Sequence, residues 1–404
     1  MTYWIKNIAI EIGYQKEGTW ISGTRTKLMA IKVRQGKFIK IVEMTDFVQE
    51  ESVPVIDGCQ QLILPGLVEK HCHLDKSKIG TPWTPLRPAK TIVERFESEV
   101  PLLDALPLSI EARAKTLLAV EMTHGVTKVR SHVDIEPMTD LRYLHAIQSV
   151  AETTAIPIEL VAFPQHGLMR SKSIPLLEAA LKQGVQFIGG VDPYSLDGDY
   201  KKSLEETFRL AKKYDVGIDI HLHDRGEAGR KTIREVIRLT QENEWQHRVF
   251  ISHAFGLNDF SGAERTYIYT LLAQEGIHIV TSVPLTPGVI PPILELKKQG
   301  VAIHLGCDNI NDSWSPYGTG SIQEKLARLG ELYEITAQDE LTEWLGLITD
   351  GQLTLNRQGE KQWPVLGDEA TFILTPASCA AEFVARQVPV TTSYVKGACI
   401  FNKN

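Results

Sequence analysis

Cysteine is scarce and unpatterned: five residues, at positions 59, 72, 307, 379 and 399, with no Cys-X-X-Cys. An odd, scattered set excludes a disulfide framework and points to reduced thiols. No apolar run approaches the roughly 18 residues of a membrane span, and residues 1–7 lack the basic start and apolar stretch of an export signal. The chain is therefore expected to be cytoplasmic, with no membrane partner. An excess of basic charge is missing too. Net charge is −7 and the isoelectric point about 6.0, which removes nucleic acid as a partner because a phosphate backbone needs a basic face. Neither GxGxxG nor GxxxxGK follows the first strand of the central region, so a nucleotide-binding phosphate loop is excluded. HExxH is absent, as is the pairing of HxE with PCxxC used by one class of zinc deaminases. No internal repeat or low-complexity stretch is evident.

What is present is a globular composition, 43% hydrophobic and 23% charged over 404 residues, enough for one large domain and a smaller one. Residues 5–10 are apolar-rich. Residues 30–34 and 37–42 alternate around Gln35-Gly36, a hairpin signature, and 55–58 adds a short strand and turn. From about residue 62 short apolar runs alternate with amphipathic helices such as 110–122 and 204–213. Strand candidates are the run ending at His71-Cys72-His73, then 127–133, 158–163, 187–191, 217–220, 249–252, 277–282 and 302–306. Eight βα units predict a parallel (β/α)8 barrel; an open doubly wound sheet is the alternative. After about residue 360 the pattern returns to β, at 371–374, 388–390 and 393–397. The fold class expected is thus α/β: a distorted (β/α)8 TIM barrel over 62–359 with a small β-sandwich domain built from both chain ends, 1–61 and 360–404. Residues 76–88, with Trp83 and three prolines, read as a loop over the barrel mouth.

In such a barrel the residues at C-terminal strand ends face the active site. Strand 1 presents His71 and His73, two apart and so on one face, with Cys72 turned away. Strand 3 presents Gln165, strand 5 His221, strand 6 His253 and strand 8 Asp308. With 12 histidines in the chain a lone His-X-His means little, but ligand-type side chains from several strands at one end are a joint signal.

These motifs resemble the amidohydrolase superfamily, specifically its cytosine deaminase-like branch, over essentially the whole length. Pro65-Gly66 followed by His71-Cys72-His73-Leu74-Asp75 is similar to the strand 1 motif, and Arg130-Ser131-His132-Val133-Asp134 to strand 2. Val161-Ala162-Phe163-Pro164-Gln165 is similar to the segment supplying a substrate-binding glutamine. Ser252-His253, and Asp308 through Trp314-Ser315-Pro316-Tyr317-Gly318, resemble strands 6 and 8. The resemblance implies one divalent ion, zinc or iron, on His71, His73, His221 and Asp308. The end of strand 4, Gly189-Gly190-Val191-Asp192-Pro193, lacks the Lys or Glu that bridges two ions in binuclear relatives. It further implies that a metal-activated water attacks the carbon of a C–N bond, that His253 orients it and that Asp308 accepts its proton. Asp224 then passes a proton to the leaving nitrogen, and Gln165 and Asn309 meet the substrate; Trp314 caps the pocket or merely packs, and Lys76 meets the substrate or pairs with a carboxylate on the rim.

Two positions depart from the cytosine deaminase pattern: Asp224 stands for Glu and Asn309 for Asp. His-X-His-Leu-Asp-Lys with Asp-Asn instead resembles the branch containing N-isopropylammelide amidohydrolase. The expectation is a hydrolase of a small aminated heterocycle such as a pyrimidine. Hydrolysis of an N-substituted amide or exocyclic N-alkyl amine is the alternative, and a non-catalytic scaffold a third reading. The superfamily resemblance also implies a homo-oligomer. Cys72 and Cys307 are expected to pack, His278 and His304 to be structural, and His223 to stand behind the site or in a loop.

Overall fold

The computed structural model describes residues 1–403. Five strands come first: β1 (Thr2–Glu17), β2 (Trp20–Arg34), β3 (Lys37–Glu43), β4 (Val55–Asp57) and β5 (Leu62–Pro65). Eight follow as β6 (Leu67–Cys72), β7 (Val126–Asp134), β8 (Ile158–Phe163), β9 (Phe187–Val191), β10 (Gly217–His221), β11 (Val249–Ser252), β12 (His278–Thr281) and β13 (Ile303–Leu305). The last are β14 (Phe372–Thr375), β15 (Thr392–Val395) and β16 (Ala398–Asn402).

β6 to β13 lie side by side in chain order, all parallel, with a helix in every crossover. The two edges meet through a bridge between Cys72 and Asp308, and the Asp308 amide donates to the His71 carbonyl at 2.6 Å. Closure rests on this short contact where the other neighbours form ladders, which is the distortion of this (β/α)8 barrel. Gly306 makes the approach possible: a Cβ there would lie 2.4 Å from His71 Cβ and 2.7 Å from its carbonyl oxygen. Helix ends follow local chemistry. Ser109 caps the helix Ile110–Thr123 by accepting from the Ala112 amide, and Gly125 follows at φ 87°.

The remaining eight strands form one mixed sheet drawn from both chain ends, in which β14 pairs antiparallel with β5. It has a core of its own around Ile5, Ile31, Phe38, Phe372 and Tyr394. The Gln35-Gly36 turn is confirmed, with φ of 51° and 74° and Arg34 opposite Lys37. Three readings change. The strand expected at 5–10 runs from Thr2 to Glu17 as a ribbon with β2; past Ile10 its buried positions are Glu11, Gly13 and Tyr14 and it ends in the exposed Gln15-Lys16-Glu17, so the apolar pattern stopped early. Residues 388–390 form no strand, because Pro389 has no amide to give to a ladder. The C-terminal strand Ala398–Asn402 went unread because it is largely exposed. The loop at 76–88 is irregular as expected, yet Lys76, Ser77 and Lys78 at its start are buried.

Candidate metal centre and substrate pocket

Each ligand candidate is delivered by a strand end. His71 is the penultimate residue of β6, with His73 just beyond; His221 ends β10; His253 follows β11; Asp308 lies three residues past β13. The chosen ring nitrogens of His71, His73 and His221 fall within 4.8 Å of one another, and one ligand atom each from His71, His253 and Asp308 does the same. Asp308 Oδ1 is 3.5 Å from His71 Nε2 and 3.4 Å from His73 Nε2. The backbone here is unusual: His253, Ala254, Asp308 and Asp192 all take positive φ, at 69°, 49°, 60° and 37°. Left-handed backbone in non-glycine residues costs free energy and gathers at functional sites.

Burial tests whether these groups suit an ion. Among the described residues, His71 Nε2, His73 Nδ1, both nitrogens of His221 and His253 Nε2 are buried without a hydrogen-bond partner. Leaving so many polar atoms unsatisfied in one place is costly. Burial lowers the His73 pKa to about 3 and drives those of His221 and His253 well below the usual imidazole range. These rings are therefore neutral, with lone pairs to give. Burial alone would raise the Asp308 pKa, but the imidazoles of His71, His73 and His253 around it hold it well below the usual carboxylate range. Neutral imidazoles around one carboxylate fit a divalent ion of the zinc or iron type.

Beside this cluster lies a small cavity. Its polar lining includes Gln165, His223, His253, Asp308 and Asn309; its apolar wall is Ile92, Phe96, Phe163, Val191 and Trp314. The helix Ile92–Asp104, unread in the sequence, supplies Ile92 and Phe96, and its Glu99 bonds Gln165. Gln165 Nε2 donates to Glu99 at 2.7 Å and to Asp134 at 3.2 Å, and its Oε1 accepts from Lys76. Lys76 is not on the rim. It is 1% exposed and ion-paired with Asp134 at 2.8 Å, one layer behind Gln165. Asn309 makes no side-chain hydrogen bond among the described residues, and the Trp314 indole N–H is buried without a partner.

The largest correction concerns strand 5. Asp224 does not line the cavity: its carboxylate accepts from the Ser195 amide at 3.2 Å, away from the cluster. Nor does it cap the next helix, Gly226–Asn243, which has no side-chain cap. The tight turn that follows β10 sends His223 inward instead. Its ring stacks on His253 with centroids 4.4 Å apart, and its Nδ1 is 2.9 Å from Asp192 Oδ2. Burial would lower the His223 pKa, but Asp192 outweighs it and the net direction is upward. Asp192 ends the strand 4 segment, and its bonds go to the His223 and Asp224 backbones and the His223 ring. His132 packs against His71, centroids 4.1 Å apart, both of its nitrogens unpartnered. Cys72 and Cys307 are buried packing residues, and His278 and His304 bond each other at 2.9 Å.

Residues 100–401 match the Amidohydrolase family. The chain is 35% identical over 405 residues to the uncharacterized protein YahJ of Escherichia coli (strain K12), covering 99% of this chain and 87% of that protein. It is 30% identical over 311 residues to N-isopropylammelide isopropyl amidohydrolase of Pseudomonas sp. (strain ADP), covering 74% and 76% respectively. The crystal structure of N-isopropylammelide isopropylaminohydrolase from Burkholderia multivorans superposes with a TM-score of 0.86 at 28% identity, covering 100% of this chain and 99% of that one.

Proposed function

The chain belongs to the amidohydrolase family, and from that premise we propose that it hydrolyses a C–N bond of a small aminated heterocycle, using one divalent ion held by His71, His73, His221 and Asp308. The observation that carries this reading is the convergence of those side chains from three strand ends, with buried imidazole nitrogens left unpartnered. When bound, zinc or iron supplies Lewis acidity that makes water nucleophilic near neutral pH. Asp308, held as a carboxylate, accepts the proton of the attacking water. His253, neutral and facing the same cavity, steadies the charge that develops at the attacked carbon. His223 takes the role expected of Asp224. With Nδ1 fixed on Asp192, its Nε2 is the nitrogen that delivers a proton to the leaving amine. Gln165, both N–H groups engaged, offers the substrate an acceptor, and the free Asn309 amide can donate. The apolar wall excludes bulk water.

That wall also supports a second reading. Ile92, Phe96, Phe163 and Val191 give an alkyl group on the leaving nitrogen an apolar seat, favouring release of an amine over ammonia. The names of the relatives point the same way. A non-catalytic scaffold is disfavoured, since ligands and proton-handling groups are all retained. We also propose that 1–61 with 360–404, and 62–359, are two domains, and that the chain is a cytoplasmic homo-oligomer; light scattering tests the last.

Elemental analysis and a substrate panel scored separately for ammonia and for amines test the central proposal. About one ion per chain with release of either product is expected. Two tightly bound ions, or no release across aminated and N-alkylated heterocycles and amides, would overturn it.

A further inference from the structure

Of the three imidazoles proposed to bind the ion, His71 alone has a protein partner for the nitrogen turned away from Asp308, among the described residues. Its Nδ1 lies 2.8 Å from Ser252 Oγ, whereas His73 Nδ1 and both nitrogens of His221 have none. Ser252 Oγ is in turn 2.7 Å from Asp219 Oδ1. The other Asp219 oxygen holds Arg130 Nη1 at 3.0 Å. Arg130 itself is clamped: Phe187 and Phe250 sandwich its guanidinium at 3.7 and 4.0 Å, and its Nε and Nη2 donate to Glu159 at 3.0 and 2.9 Å.

Hydrogen counting fixes the direction of this chain. Asp219, paired with a guanidinium, only accepts. The single Ser252 hydrogen therefore points to Asp219, and the Ser252 lone pair must take a hydrogen from His71. That places the imidazole hydrogen on Nδ1 and leaves Nε2 with its lone pair, on the side of Asp308. Metal-bound imidazoles commonly have their tautomer set by a partner on the other nitrogen; here a serine stands between the imidazole and the carboxylate. His132 Nε2, at 3.8 Å from Asp219 Oδ1, is too far to compete for it.

We propose that Arg130, Asp219 and Ser252 form a one-way hydrogen-bond relay that locks His71 in its metal-binding tautomer, making Ser252 and Asp219 positioning residues for the ion. The relay rests on the metal-site reading above. It has an unusual signature. In Asp219→Asn, Arg130 still demands an acceptor, so the amide oxygen faces Arg130 and the amide nitrogen faces Ser252. Ser252 then accepts from the amide, and its single hydrogen, no longer taken by residue 219, is free to go to His71 Nδ1. The imidazole hydrogen moves to Nε2 and blocks it. Ser252→Ala merely removes the constraint.

The test is zinc affinity, measured by competition with a chromophoric chelator on wild type, Ser252→Ala, Asp219→Asn and the double variant, with apo-protein melting followed in parallel. Loss of an outer-shell partner typically weakens metal binding about 10–100-fold. Ser252→Ala is expected near the lower figure and Asp219→Asn near the upper. The double variant should regain the affinity of Ser252→Ala alone, because the reversed amide then has no hydroxyl through which to reach His71. A merely structural role predicts that the losses add. A double variant weaker than both singles, or an Asp219→Asn chain that binds zinc as well as Ser252→Ala, would overturn the relay. Should Asp219→Asn not fold, Ser252→Thr, which keeps the hydroxyl, should bind zinc like wild type and about tenfold tighter than Ser252→Ala; equal affinities would overturn it equally. A wild-type chain that holds no zinc or iron would instead remove the metal reading itself.

Discussion

The two ends of the barrel interior hold similar side chains in opposite conditions. At the N-terminal end Lys70 meets Asp350 at 2.6 Å, Lys128 meets Glu159 at 2.7 Å, and His278 bonds His304. Each of these charges or rings has a partner. At the C-terminal end His71, His73, His221 and His253 all carry buried nitrogens with no partner, on backbone that includes left-handed residues. Lys70 and His304 are buried as well, so burial alone does not mark the site; unsatisfied capacity to bind does. The paired end behaves as structure, and the unpaired end as a place made for something that arrives later.

The strongest way to break the comparison is to remove a ligand. His71→Ala or Asp308→Ala should cut bound metal from about one ion per chain toward none and lower kcat by several orders of magnitude, with the fold retained. Elemental analysis and circular dichroism check this; full metal retention in either variant would end the assignment. Next comes proton delivery. His223→Gln should lower kcat by about 10²–10⁴-fold at unchanged metal content, while Asp224→Asn should leave kcat near wild type and cost at most about 1 kcal/mol of stability through its Ser195 bond. The reverse ranking would restore Asp224 to the mechanism. At the paired end the same kind of change should act on stability only. Lys70→Met leaves Asp350 without its main partner and should cost about 2 kcal/mol by chemical denaturation, with kcat and metal content unaltered.

The smallest effect sharpens the contrast by pH. Burial alone would raise the Asp350 pKa, but Lys70, His304 and Lys128 bring it down to about 2 from the usual 3.8. A depressed carboxylate stabilises the fold above its unfolded value and loses that contribution as pH falls toward 2. With Asp350 about a third exposed, the contribution is roughly 1 kcal/mol after solvent screening. Wild type should therefore lose about that much more stability than Asp350→Asn between pH 5 and 2; parallel acid curves would show the pair to be inert.

The barrel was legible because its strands are short apolar runs with helices between them. β8, β9 and β11 fall where the sequence put them. The convergence of His71, His73, His221 and Asp308 was legible because a barrel brings strand ends together whatever the loops do. What escaped lies past the strand ends. Whether His223 or Asp224 turns inward depends on a tight turn pinned by Asp192, thirty-odd residues earlier in the chain, and no spacing rule in the segment itself encodes that. His223 still carried a signal, as a titratable residue two positions past His221, just beyond the end of β10. Glu99 and Lys76 were hidden for another reason. A charged residue gives no hint that it is buried until its partners, here Asp134 and Gln165, come from distant strands.

The closing contacts of the barrel also set an order of events during synthesis. His71 meets Asp308 only when the far edge of the barrel arrives, and β5, just upstream of the first ligands, is paired by residues 372–375. Contacts spanning roughly three hundred positions form late and slowly. On the proposed metal site, the chain must leave the ribosome through Asp308 before His71 and His73 can meet the last of their partners. On that reading metal capture is a late step, and a chain stalled before Asp308 has left the ribosome should be unable to retain an ion.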